Sequence, residues 1–133
     1  AWLMVAEDII IYDNDPADTE EAVKASDIIF CLDFNSLDRI DKVGDLVRKR
    51  DCTKIMIDHH LYPEDFAHYT LSDTTASSTS EMVFDFVEAL GDKELIDKVI
   101  GECVFTGILT DTGSFKYSTS PKLFRIVSEL LAL

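Results

Sequence analysis

A chain of 133 residues can bury a real core as one domain, and a composition 47% hydrophobic and 29% charged excludes a disordered or fibrous polymer. Acidic residues outnumber basic ones 26 to 12, giving a formal charge of −14, and no long basic run interrupts them. This excludes a duplex-DNA surface, which works by neutralising many phosphates. The longest apolar stretches fall short of the ~18 residues a membrane helix needs, so no membrane partner is expected. Cys31, Cys52 and Cys103 lack CxxC spacing and read as small core residues of a reducing, cytoplasmic compartment.

Residues 8–12, a short β-branched run, read as a strand, and residues 13–18, with Asn14 and Pro16, as a turn. Residues 19–25 form a short helix with an acidic start and Lys24 near its end. Ile28-Ile29-Phe30-Cys31-Leu32, bounded by Asp27 and Asp33, reads as a parallel strand buried on both faces. After a loop at Phe34-Asn35-Ser36, Leu37, Ile40, Val43, Leu46 and Val47 recur at helical spacing and predict an amphipathic helix over 37–50. The strand 54–58 completes a βαβ unit with a right-handed crossover. Residues 61–65 are a loop, 66–71 a short edge strand and 72–75 a turn. Ser78-Thr79-Ser80-Glu81 matches a capping box that opens a helix closed by Gly91. A second helix is expected over 93–109, running into a loop that carries Asp111, and Pro121 opens a third. The fold class is α/β, a parallel β-sheet flanked by helices in the Rossmann-like manner. Trp2-Leu3-Met4-Val5 at one end and Leu130-Leu131-Ala132-Leu133 at the other, without helix-closing residues, give the expectation of a piece of a larger protein.

Asp58-His59-His60 follows an apolar strand at the end of the sheet where α/β proteins place their chemistry. Asp33 occupies the equivalent place after the preceding strand. Adjacent strands lie ~4.8 Å apart, so two such carboxylates repel each other unless a divalent cation lies between them. Asp111 could add a third carboxylate. Mixed Asp and His ligands suit Mn²⁺, Fe²⁺ or Zn²⁺ better than Ca²⁺, and the lack of cysteine argues against structural zinc. Such metals make a short anionic substrate compatible with an acidic chain, and two-metal sites with ions ~3.5–4 Å apart recur in phosphate-ester hydrolysis. Blander roles stay open: Asp33 and Asp111 as turn formers, Arg39 as an exposed helix residue, and His68 as a surface or satisfied core residue. Ser77, Ser78 and Thr79 read as a helix start, although a helix N-terminus also attracts phosphate.

Ile57-Asp58-His59-His60 resembles the signature of the DHH phosphoesterases. Cys31-Leu32-Asp33 through Arg39 looks like the family's preceding aspartate motif. Gly107-Ile108-Leu109-Thr110-Asp111-Thr112-Gly113-Ser114-Phe115 looks like its fourth motif. Ala76-Ser77-Ser78-Thr79-Ser80-Glu81 is similar to the segment between them in the nano-RNase branch, which degrades very short oligoribonucleotides and dephosphorylates 3′-phosphoadenosine 5′-phosphate. The resemblance covers residues 27–120. It implies that Asp33 bridges two Mn²⁺ ions, that His59 and Asp111 bind one of them, and that His60 sits over the phosphate. It further implies that Asp58 orients the histidines and that Arg39 contacts the substrate phosphate. The family's first motif, a His and two Asp, has no counterpart before Asp8. The C-terminal substrate domain with its Gly-Gly-His segment is likewise expected to lie outside these residues, and Leu61-Tyr62-Pro63 stands where the family often has Asn.

Residues 1–133 are thus expected to be the central and C-terminal part of the catalytic domain, binding at most one metal weakly and inactive alone. The parent protein is expected to hydrolyse short oligoribonucleotides or nucleotide 3′-phosphates by metal-activated water. Pyrophosphate, polyphosphate, cyclic dinucleotides or single-stranded DNA ends are alternative substrates, and a non-catalytic metal-binding or interaction piece is the alternative class. A homodimer is left open.

Overall fold

The computed structural model describes residues 9–133, which fall into two units, 9–72 and 73–133. The first is a parallel sheet with helices. It runs α1 (Pro16–Ala25), β1 (Ile28–Leu32), a 3-10 turn (Leu37–Ile40), α2 (Asp41–Lys49), β2 (Thr53–Asp58) and β3 (Tyr69–Ser72). The strand order is β1-β2-β3 and both pairings are parallel, with Leu32 opposite Ile57 and Asp58 opposite Ser72. The α/β class and the βαβ unit are therefore as expected.

Several boundaries and burials differ from expectation. Residues 9–12 form no strand: Asn14 N and Asp15 N both donate to Ile11 O, at 3.0 and 2.9 Å, and wind the chain into a turn. Ile9, Ile10 and Ile11 stay exposed, and an apolar run without a neighbouring ladder does not hold as a strand. Asp8 and the apolar run at residues 2–5 lie outside the described residues. α1 begins three residues early because Pro16, with its fixed φ, suits the first helical position.

β1 is not buried on both faces. Among the described residues it lies at the end of the strand order, with Cys31 buried on one side and Ile28, Phe30 and Leu32 exposed on the other. The buried face joins Met56 of β2, Leu37 and Val47 in one cluster, with Phe66 packed against it. The helix expected over 37–50 is broken into the 3-10 turn and α2. A Cβ on Gly44 would lie 2.0 Å from Leu37 O, and Asp41 takes φ 45 where the chain changes pitch. Only that glycine lets the 3-10 turn fold so closely over α2.

β3 is shorter than expected because Phe66 turns into the core instead of joining the sheet. His68 extends the pairing: its N donates to Lys54 O at 2.9 Å and its Nδ1 accepts from Lys54 N at 3.1 Å, which makes it a satisfied structural histidine.

The second unit packs α3 (Thr79–Leu90), α4 (Lys98–Asp111) and α5 (Pro121–Leu130) around Phe84, Ile108, Leu123 and Ile126. Ser78 caps α3, and Gly91 closes it at φ 83, in the left-handed region glycine favours. The helix expected over 93–109 divides, because Asp97 Oδ1 accepts from Ile100 N at 2.9 Å and starts α4 afresh after a 3-10 turn at Lys93–Leu95. Asp111 is the last residue of α4 rather than a loop residue.

Candidate metal centre

The site grows from the carboxyl end of β2. An apolar strand carries Asp58 into full burial, and a buried carboxylate must be hydrogen-bonded. Its partner is two residues on: Asp58 Oδ2 accepts from His60 N at 3.0 Å, and Oδ1 lies 2.7 Å from His60 Nδ1. An ionised carboxylate only accepts, so the proton of that bond sits on Nδ1, which leaves Nε2 as the outward-facing nitrogen of His60. Asp58 is therefore engaged in orienting His60, and the direct pairing of Asp33 and Asp58 across one cation gives way to this arrangement.

Asp33 is the first residue past β1, not its last. Its N donates to Ile57 O at 3.2 Å, extending the ladder by one bond, and its φ of 69 turns the chain out of the sheet. Aspartate tolerates that left-handed conformation better than most residues. The turn brings Asp33 Oδ1 to 3.6 Å from His59 Nε2. The His59 and His60 rings stand edge to face, 4.8 Å between centroids. Asp33, His59 and His60 each offer a ligand atom, all within 4.8 Å of one another. Two ligand atoms on one transition-metal ion lie at most ~4.2 Å apart, given bonds of ~2.1 Å. The set fits a divalent cation after the side chains close by a few tenths of an ångström. Imidazole nitrogen with carboxylate oxygen is a donor set for Mn, Fe or Zn.

The loops around this centre are tied together by residues that sequence reasoning missed. Asn35 Nδ2 donates to Leu61 O at 2.7 Å, Asn35 O accepts from Glu64 N at 2.7 Å, and Asn35 Oδ1 takes a long bond of 3.4 Å from Arg39 Nη1. The Glu64 carboxylate accepts from Ser36 Oγ (2.8 Å), Leu37 N (2.9 Å) and Arg48 Nη1 (2.7 Å). The Ser36 bond foremost, then Arg48, holds the Glu64 carboxyl below its ordinary range. A polar residue closely following a strand-terminal ligand was the only signal for Asn35, and Glu64 had none. Arg39 lies in the 3-10 turn, fastened to Asn35. Cys31, two residues before Asp33, is no nucleophile: burial pushes its thiol up to about 11.

In the unit 73–133, Asp111 ends α4 and Thr112 is buried behind it, its Oγ1 donating to Ile108 O at 2.7 Å and accepting from Phe115 N at 3.0 Å. Ser77 and Ser78 have the expected helix-start roles, with one change. Ser78 Oγ accepts from Glu81 N at 3.0 Å, but Glu81 reaches past Ser78 and accepts from Ser77 N at 2.8 Å. Among the described residues, the buried Ser77 Oγ has no hydrogen-bond partner.

The chain is similar to a crystal structure of an exopolyphosphatase-related protein from Bacteroides Fragilis, with 45% identity and a TM-score of 0.95 over 98% of this chain and 39% of that one. It is 40% identical over 78 residues to a bifunctional oligoribonuclease and PAP phosphatase NrnA from Thermus thermophilus, covering 58% of this chain and 24% of the relative. Against the protein of the same description from Bacillus subtilis it is 30% identical over 124 residues, covering 91% of this chain and 38% of the relative. The chain thus spans well under half the length of these relatives. Residues 1–108 match the DHH family, N-terminal domain, and on that match, with the Asp58-His59-His60 triplet at the centre of the site, the chain belongs to the DHH family.

Proposed function

We propose that this chain supplies the metal centre of a phosphoesterase that hydrolyses short oligoribonucleotides or nucleotide 3′-phosphates. The convergence of Asp33, His59 and His60 at one end of the sheet carries this reading. The names of the Thermus thermophilus and Bacillus subtilis relatives support the substrate class. Asp33 and His59 hold the cation. A divalent metal, Mn²⁺ at two per site in our reading, lowers the pKa of a water and neutralises phosphoryl oxygens when bound. His60, with Nδ1 committed to Asp58, presents Nε2 to the phosphoryl group or the leaving oxygen. Arg39 contacts the substrate phosphate. Among the described residues no helix is long and apolar enough to cross a membrane. The free thiols of Cys31, Cys52 and Cys103 support a cytoplasmic, reducing location.

The test is turnover by the full-length protein with Mn²⁺ on a panel of a diadenylate, 3′-phosphoadenosine 5′-phosphate, polyphosphate and a cyclic dinucleotide. The diadenylate or the nucleotide 3′-phosphate is expected to be cleaved fastest, and Asp33→Asn and His59→Ala to lose at least about 100-fold. Full activity in either variant overturns the site. The likeness to the exopolyphosphatase-related structure favours a second reading, inorganic polyphosphate as substrate, and faster turnover of polyphosphate than of any nucleotide would establish it.

A further inference from the structure

We propose that Tyr62 is a stacking platform for a nucleobase of the substrate whose phosphate is held at the neighbouring Asp33–His59–His60 centre, an inference that rests on the function proposed above. Tyr62 follows His60 by two residues and is 89% exposed. Among the described residues its side chain makes no hydrogen bond, ion pair or ring contact. A lone exposed aromatic is ordinary; the backbone beneath this one is not. Its φ is 61, a conformation bulky side chains avoid. It also precedes Pro63, which pushes its neighbour towards extended backbone. Strain of this kind persists only where the surroundings impose it, and it collects at ligand sites.

The surroundings here are explicit. Leu61 O is held by Asn35 Nδ2 at 2.7 Å, and Glu64 N is held by Asn35 O at 2.7 Å, so one residue fastens both ends of the loop. The Glu64 carboxylate is fixed in turn on Ser36 Oγ and Leu37 N. Asn35 lies two residues after Asp33, so the anchor of the Tyr62 loop and a candidate metal ligand share one short segment. The result is a loop fastened at both ends that shows a bare aromatic face to solvent two residues past His60, flanked by Leu61, itself exposed. An aromatic face accepts any base with little sequence preference, and it does so without positive charge, which suits a strongly acidic chain.

The experiment compares the full-length protein with its Tyr62→Ala, Tyr62→Phe and Tyr62→Gly variants. Turnover and equilibrium binding are measured with Mn²⁺, on a diadenylate and on the same sugar–phosphate backbone without bases. Tyr62→Ala is expected to raise KM and Kd for the diadenylate roughly tenfold, to leave kcat within about twofold, and to leave the base-free ligand unchanged. Tyr62→Phe is expected to behave as the wild type. Tyr62→Gly is expected to lose base affinity like Tyr62→Ala yet to melt at a higher temperature, because it relieves the strain. Equal losses on both ligands, or none on either, overturn the proposal. A wild type that binds the diadenylate no better than the base-free backbone overturns it as well. Failure of the wild type to cleave the diadenylate defeats the underlying function instead, while the binding comparison still decides the role of Tyr62.

Discussion

The His60 ring is held through Nδ1 by a carboxylate with no exposure to water, so the direction of its Nε2 depends on one buried side chain. Asp58→Asn keeps the volume but can turn an N–H towards Nδ1, which favours the opposite tautomer and weakens the hold on the ring. Partners that orient a metal-site histidine typically contribute 10–100-fold in activity or metal affinity. We therefore expect Asp58→Asn to lower turnover of the full-length protein by about 10–100-fold with an unchanged circular dichroism spectrum. An active Asp58→Asn variant would remove Asp58 from the site. The triplet was legible because three ligand-type residues at a strand end have few other uses. The bland reading of Cys31 was legible too, and its burial agrees with it. The left-handed turns at Asp33 and Tyr62 were not, because neither Asp nor Tyr announces a positive φ and the bonds that impose it come from Asn35 and Ile57, distant in sequence. The same holds for Glu64, whose three partners lie 16 to 28 residues away.

At the level of elements, local chemistry was readable and close approach was not. Ser78 as a cap, Gly91 as a stop and Pro121 as a start all follow from rules spanning a few residues. The breaks before α2 and before α4 depend instead on a carbonyl lying over Gly44 and on an aspartate competing as a cap. The crossing of α3 and α4 is another contact of this kind. A Cβ added at Gly107 would lie 1.8 Å from Ser80 Oγ and 2.8 Å from Ser80 Cβ. Both offending atoms belong to one side chain. Gly107→Ala is expected to destabilise by about 1–3 kcal/mol, the usual cost of overpacking. Ser80→Gly removes the obstruction at a helix cost of about 0.5 kcal/mol, so the double variant should be more stable than Gly107→Ala alone. Urea unfolding of the two single variants and the double variant measures the coupling; strict additivity would show that the helices separate instead of clashing.

For the whole molecule the dominant fact is a charge of −14, and pH acts on it in two opposed ways. Acidification relieves general repulsion between carboxylates, and it also protonates the few carboxylates that the fold holds ionised. Glu64 in the unit 9–72 and Asp73 in the unit 73–133 are both held below their ordinary range, Glu64 first by its Ser36 bond and Asp73 first by its Thr75 bond. Lys93, through Glu129 first, and Lys122 are held above theirs; at Lys122 burial opposes the shift, but the bonds to Asp85 and Glu81 outweigh it. A lowered carboxyl adds stability that is complete above its unfolded pKa, about 4.3 for Glu, and is lost as pH falls through the folded value. A raised lysine adds stability that is complete below about 10.4 and is lost as pH rises through its folded value. Stability should therefore hold level between about pH 5 and pH 10 and fall on both sides. Glu64→Gln isolates the acid limb, because it changes the net charge by a single unit and leaves general repulsion almost the same in both proteins. At pH 7 the variant, lacking the charged acceptor for Ser36 Oγ and Leu37 N, should be less stable by about 1 kcal/mol. That deficit should shrink as pH falls below about 4.3 and close once Glu64 is protonated in the folded wild type. Thermal midpoints of both proteins from pH 7 to pH 2.5 measure it, and a deficit that stays constant with pH would show that Glu64 serves the fold by its shape alone.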